Sequence, residues 1–194
     1  MKLNWNDKDF IKEIINRCIN NDMQAQEFLY RNFYSKFLPV CYRYAKNKNE
    51  ALDIFHEGVV KVFKKLGSFG FNGSFEGWVR KIIVNTAIDF LRKKSKTYTQ
   101  DLSFIDENIQ DDDFPENYME NNEIINLITP EELISFIQQL PPSYRLAINL
   151  YVFENLTHKE IANLLGISEN TSKTNYMKAK KKLKKLIEKK FMNK

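Results

Sequence analysis

The chain has 194 residues, 43% of them hydrophobic, which is enough for one ordinary core or two small ones and excludes disorder throughout. With 6 Gly and 5 Pro among abundant Lys, Leu, Ile, Glu and Asn, a turn-rich β fold is disfavoured and an all-α protein is expected. The net charge of +5 points to a polyanionic partner: residues 1–98 hold 18 basic and 10 acidic side chains, residues 99–129 none and 9, and residues 159–194 hold 11 and 3.

Met1 to Phe10 lacks a basic-then-apolar signal layout, and no apolar run approaches the roughly 18 residues of a membrane span, so a cytoplasmic protein is expected. Phe10, Ile11, Ile14, Ile15, Cys18 and Ile19 form one apolar stripe at helical spacing. A second, aromatic-rich helix follows over about Gln24 to Tyr44. Cys18 and Cys41 lack a CxxC spacing and read as two buried, reduced thiols rather than a disulfide or zinc site.

A third helix is expected over about Glu50 to Leu66, with Leu52, Phe55, Val59, Val62, Phe63 and Leu66 inward. Asp53, His56, Glu57 and Lys61 recur at i, i+3, i+4 and i+8 on another face, a surface for a complementary protein helix or an ordinary solvated one. The loop from Gly67 to Gly73 leads to Ser74, the expected N-cap of a fourth helix reaching Lys94, with Glu76 in its first turn. Phe69, Phe71 and Phe75 place rings in and beside that glycine-rich loop, next to Trp78 and the basic cluster Arg92, Lys93, Lys94 and Lys96. Such groups can stack an unpaired base and hold its phosphates. Phe69, Phe75 and Trp78 read equally well as core aromatics.

Residues 99–128, including Asp111, Asp112, Asp113 and Glu116, lack sustained helical periodicity and repel one another, so an acidic linker is expected between domains 1–98 and 129–194. It is either a solubilising tether or a nucleic-acid mimic that covers a basic face when DNA is absent. Thr129, Pro130 and Glu132 make a capping box with Pro at the first helical position, opening a helix that stops at Leu140. Pro141-Pro142 breaks the chain, and another helix follows through about Phe153.

Thr157 and Glu160 form a second capping box, for a helix that ends at Gly166 with its left-handed cap. Ser168 then opens the last helix, so Thr157 to Leu183 has the plan of a helix-turn-helix. In the last helix Ser172, Tyr176, Ala179, Leu183 and Leu186 share one face, and Asn170, Lys173, Thr174, Met177, Lys178 and Lys181 the other. The second face suits the major groove, because Lys can donate to guanine or phosphate, Thr bonds either, and Met can touch a thymine methyl. His158, beside the cap, reads as an exposed helix-start side chain. No converging set of nucleophile, base or metal ligands appears, so neither catalysis, cofactor, metal nor small-molecule substrate is expected.

Asp53-Ile54-Phe55-His56-Glu57-Gly58 resembles the acidic polymerase-binding helix of the bacterial sigma-70 family. Trp78, Ile82, Asn85, Asp89 and Arg92 match the W-x3-I-x2-N-x3-D-x2-R spacing of that family's promoter-melting helix. Leu140-Pro141-Pro142, Glu154, Leu156-Thr157, Glu160-Ile161-Ala162 and Ser168 to Ala179 resemble its second conserved region. The likeness is to the small sigma factors of the extracytoplasmic function (ECF) class and covers about Gln24 to Lys94 and Leu133 to Lys189.

The resemblance implies an initiation factor that binds core RNA polymerase at the clamp helices of the beta-prime subunit through Asp53, His56, Glu57 and Lys61. It implies minus-ten contacts by Phe71, Asn72, Trp78, Asn85, Arg92, Lys93 and Lys94, and minus-thirty-five reading by Asn170, Lys173, Thr174, Met177, Lys178 and Lys181. It also implies an anti-sigma partner, often one that holds the factor at the inner membrane away from the nucleoid. The chain departs from the family at His56, where Gln is usual, and at Ser172, where an apolar residue anchors the recognition helix. The second departure predicts a less tightly seated last helix. The alternative is a helix-turn-helix operator-binding regulator that does not join the polymerase, with a sensing pocket in its N-terminal domain; an adaptor acting only through proteins leaves the two basic blocks unexplained.

Overall fold

Residues 2–97 and 128–192 are described by a computed structural model, with side chains over 2–93 and 128–190. The expected acidic linker lies outside them except for Ile128. Every regular element among the described residues is helical, and the chain divides into two compact units, Met1–Leu91 and Arg92–Lys194.

In the first unit α1 spans Lys8–Ile19 and α2 Met23–Tyr44. Asp7 caps α1 by accepting from the Phe10 amide at 3.0 Å, and Asp22 caps α2 by accepting from Gln24 and Ala25 at 2.9 and 3.1 Å. The Arg17 guanidinium lies 2.8 Å from the Asp22 carboxylate and, with the backbone bonds, holds it below the usual carboxylate range. α3 spans Lys48–Lys65, capped by Asn47, and runs into a 3₁₀ turn over Leu66–Ser68. Glu50 is buried because its carboxylate accepts from the Lys46 amide at 2.9 Å, completing that cap.

α4 spans Phe75–Thr97, starting beside Ser74, whose hydroxyl accepts from the Gly77 amide at 3.2 Å. Leu29, Phe33, Phe37, Ile54, Phe55, Val62 and Ile83 are fully buried in this unit. Each contributes about 1.5–3 kcal/mol relative to exposure. Cys18 and Cys41 are buried free thiols, and burial pushes them up to about 11 and about 12, so both stay protonated.

The apolar stripe of α3 is turned from its expected setting. Leu52 and Phe63 are half-buried, whereas Ala51, Ile54 and Gly58 join Phe55, Val59 and Val62 inside. The cause is a close crossing with α4: a β-carbon on Gly58 would lie 2.6 Å from Ile83 Cδ1. With Ile83 so placed, the missing side chain of Gly58 leaves room for that approach, and the face centred on Ile54 and Gly58 turns toward α4.

In the second unit α5 spans Pro130–Gln138, with the Thr129 to Glu132 capping box formed as expected. α6 spans Pro142–Ile148 and widens into a π turn over Asn149–Phe153. The buried Asn149 amide donates to the Arg145 carbonyl at 2.8 Å, taking an acceptor the α-helical ladder would use. The buried Arg145 guanidinium donates to the Gln138 and Leu140 carbonyls at 2.7 and 2.8 Å, tying off the end of α5. α7 spans His158–Leu165 and α8 Glu169–Met192. Phe136, Ile137, Leu140, Ile148, Ala179 and Leu183 form the core joining α5, α6 and α8.

Candidate functional site

Three surfaces carry the expected site residues: one on α3, one running from the aromatic loop along α4, and one in the helix-turn-helix. On α3, Asp53 and His56 are exposed, while Glu57 and Lys61 are half-buried and pair at 2.9 Å. Lys61 Nζ also lies 3.9 Å from the Asp89 carboxylate of α4, so it serves the crossing of α3 and α4 as well as the outer face. Tyr30 of α2 reaches the same strip: its hydroxyl oxygen is 3.2 Å from His56 Nε2. Val60, one turn past His56, is 51% exposed and continues the strip with an apolar group.

The second surface is the aromatic loop. Phe69 and Phe75 are buried, so these two are core residues, whereas Trp78 and Phe71 are half-buried and Asn72 is exposed. Phe69 touches Phe71, Phe75 and Trp78 with ring centroids at 4.9, 5.2 and 5.3 Å, and Phe75 stacks on Trp78 at 6.0 Å with planes 18° apart. Phe71 has φ of 57°, a left-handed conformation that bulky side chains rarely adopt. Such a residue holds about 1–3 kcal/mol of strain and is sustained only by its surroundings, here the ring of Phe69.

Trp5 escaped the sequence reading. It stacks on Phe75 and Phe33 with centroids at 6.1 Å, meets Phe37 edge-on at 5.6 Å, and carries the Lys36 ammonium 5.6 Å from its ring. With Lys8, Ile11, Phe69, Phe71 and Phe75 it lines a cleft of about 340 Å³. The available signal was a lone aromatic just before a capped helix, and periodicity cannot reveal the partner of such a residue. From the loop, α4 carries Trp78, Asn85 and Arg92 on one face at seven-residue spacing. Asn85 and Lys93 are exposed and Arg92 is half-buried; the Lys94 side chain lies outside the described residues.

The third surface is the helix-turn-helix. Gly166 has φ of 70°, the left-handed cap that turns the chain, and the Ser168 hydroxyl accepts from the Thr171 amide at 2.9 Å to start α8. Asn170, Lys173, Thr174 and Met177 are exposed, and Lys178 and Lys181 are half-buried. Lys173 Nζ lies 2.8 Å from a Glu169 carboxylate oxygen and holds that carboxyl below its ordinary range.

The structure bears on two expectations here. Ser172 is 0% exposed, and its hydroxyl lies 3.0 Å from His158 Nδ1, so a polar contact joins α8 to α7 where the family has an apolar one. Accordingly His158 is no free helix-start side chain. Half-buried, it stacks on Tyr151 at 4.5 Å with planes 13° apart, and Tyr176 closes the cluster 4.5 Å from Tyr151. The hydrogen bond supplies the satisfaction that a buried hydroxyl requires where an apolar residue would need none.

Residues 29–97 match the family model of Sigma-70 region 2, and residues 131–183 that of Sigma-70, region 4, together more than half of the chain. The chain is 29% identical over 185 residues to ECF RNA polymerase sigma factor SigW of Bacillus subtilis (strain 168), covering 91% of this chain and 96% of that one. It is 26% identical over 185 residues to RNA polymerase sigma-H factor of Pseudomonas aeruginosa, covering 91% and 93%. It is 29% identical over 177 residues to RNA polymerase sigma factor SigV of Bacillus subtilis (strain 168), covering 90% and 91%.

Proposed function

Because the chain belongs to the ECF class of the sigma-70 family and so binds core RNA polymerase and directs promoter-specific initiation, we propose that two domains, 1–98 and 129–194, divide that work. Domain 1–98 docks on the clamp helices of the beta-prime subunit through Asp53, His56, Glu57 and Lys61. It opens the minus-ten element with Phe71, Asn72, Trp78 and Asn85, with Arg92, Lys93 and Lys94 on the backbone. Domain 129–194 reads the minus-thirty-five element with Asn170, Lys173, Thr174, Met177, Lys178 and Lys181. Residues 99–128 tether the two.

The observation that carries this reading is the pairing of a polar strip on α3, where Asp53 and His56 are exposed beside the Glu57–Lys61 pair, with a half-exposed ring cluster at the start of α4. Binding a flipped base on Phe71 and Trp78 offsets the few kcal/mol of unstacking, so opening requires no nucleotide hydrolysis and the chain needs no catalytic group. Family membership removes the operator-binding alternative, which requires no polymerase contact. An anti-sigma protein is the remaining partner, and the factor works in the cytoplasm, on the nucleoid when active or held at the inner membrane by that partner. No helix among the described residues is long and apolar enough to cross a membrane.

Purified chain added to core polymerase should yield promoter-specific transcripts, and failure to bind core overturns the reading. Lys178→Ala in that holoenzyme should cost about 1–3 kcal/mol of selection at the upstream element if Lys178 reads a base. A loss uniform across sequences assigns it to phosphate instead.

A further inference from the structure

The docking strip contains one group whose hydrogen-bonding role depends on a neighbour. His56 stands where the family has Gln, and a neutral imidazole, unlike an amide, offers one donor and one acceptor whose places are set by whatever bonds the other nitrogen. That neighbour is Tyr30, with its hydroxyl oxygen 3.2 Å from His56 Nε2. Its ring is half-buried and packs edge-on against Phe55 at 5.8 Å and beside Tyr34 at 6.4 Å. Phe55 is fully buried, and Tyr34 packs on it edge-on at 5.5 Å. The hydroxyl is therefore positioned by the core of the unit rather than by a freely moving surface chain.

Resting on the reading of α3 as the polymerase-docking face, we propose that Tyr30 is a positioning residue. Its hydroxyl donates to His56 Nε2, keeps the imidazole proton on Nδ1, and so presents an N–H donor to the clamp helix. Asp53 one turn before His56 and the exposed Val60 one turn after it flank this donor. Tyr34, 42% exposed, adds an apolar border on α2.

The test uses the full chain with core polymerase and a double-mutant cycle over Tyr30→Phe, His56→Gln and the double variant. Tyr30→Phe keeps the ring and removes only the hydroxyl. Core binding should weaken several-fold in the His56 background and change less than twofold in the His56→Gln background. With only 2 histidines in the chain, imidazole nitrogen spectra of the free protein at pH 8 assign the tautomer directly. His56 should carry its proton on Nδ1 in the unsubstituted protein and lose that preference in Tyr30→Phe. An additive cycle, or a proton on Nε2 unaffected by Tyr30→Phe, overturns the role of Tyr30 while Asp53→Ala still weakens core binding. Unchanged core binding in both Asp53→Ala and His56→Ala removes the docking face itself, and the proposal with it.

Discussion

His158 Nδ1 lies 3.0 Å from Ser172 Oγ, so the first helix of the helix-turn-helix is bonded to a fully buried position of the second. Ser172→Ala removes one buried hydrogen bond and should cost about 0.5–1.5 kcal/mol in thermal unfolding. Ser172→Leu restores the apolar residue the family uses, yet the site is built around a hydroxyl, and overpacking should cost about 1–3 kcal/mol. Combining it with His158→Ala, which opens space, should recover part of that loss; equal losses in the single and double variants would deny the coupling.

Gly58 meets Ile83 where α3 crosses α4. Gly58→Ala gains about 1 kcal/mol of helix propensity, but its new methyl group would lie 2.6 Å from Cδ1 of the fully buried Ile83, whose side chain must shift within the core to admit it. A net destabilisation of about 1–2 kcal/mol is expected from overpacking. Adding Ile83→Val deletes the obstructing Cδ1 and should bring chemical denaturation midpoints back toward the unsubstituted protein.

Phe71 holds a left-handed backbone at the tip of the aromatic loop. Phe71→Asn accepts that conformation more readily while losing the ring contact with Phe69, so stability should stay within about 1 kcal/mol. Strand opening should nevertheless fall sharply, measured as permanganate reactivity of unpaired thymines in the holoenzyme–promoter complex. Equal opening by the variant would remove Phe71 from the minus-ten contact.

Glu169 neutralises Lys173 on the proposed reading face. Glu169→Gln should free that ammonium for phosphate, raise duplex affinity a few-fold at low salt, and steepen the salt dependence by about one released counterion. Titrations at several salt concentrations check it.

Asp22 joins an N-cap to an ion pair with Arg17, and its carboxyl titrates below the ordinary range in the folded chain. A depressed folded value means the contribution is present above the unfolded pKa and is lost as pH falls through the folded one. Stability should therefore drop as pH falls below the carboxylate range near 3.8, and Asp22→Asn should flatten that drop while lowering stability at pH 7. Thermal melts across pH 2–7 (about that span) read both effects.

Helix limits, caps and the helix-turn-helix plan were legible in the sequence, because a capping box joins residues three apart and an amphipathic stripe repeats every few residues. Thr129 with Glu132, Thr157 with Glu160, and Gly166 at the turn all follow from local chemistry. What tertiary structure alone decided are the pairings between distant positions: Gly58 against Ile83, Trp5 under the aromatic loop, Tyr30 at His56, and His158 under Ser172. Periodicity says that a side chain faces inward or outward, not which partner from another helix it meets. For that reason Ser172 and His56 read only as departures from the family in the sequence, and the fold supplies each with a hydrogen-bonding neighbour from a separate helix.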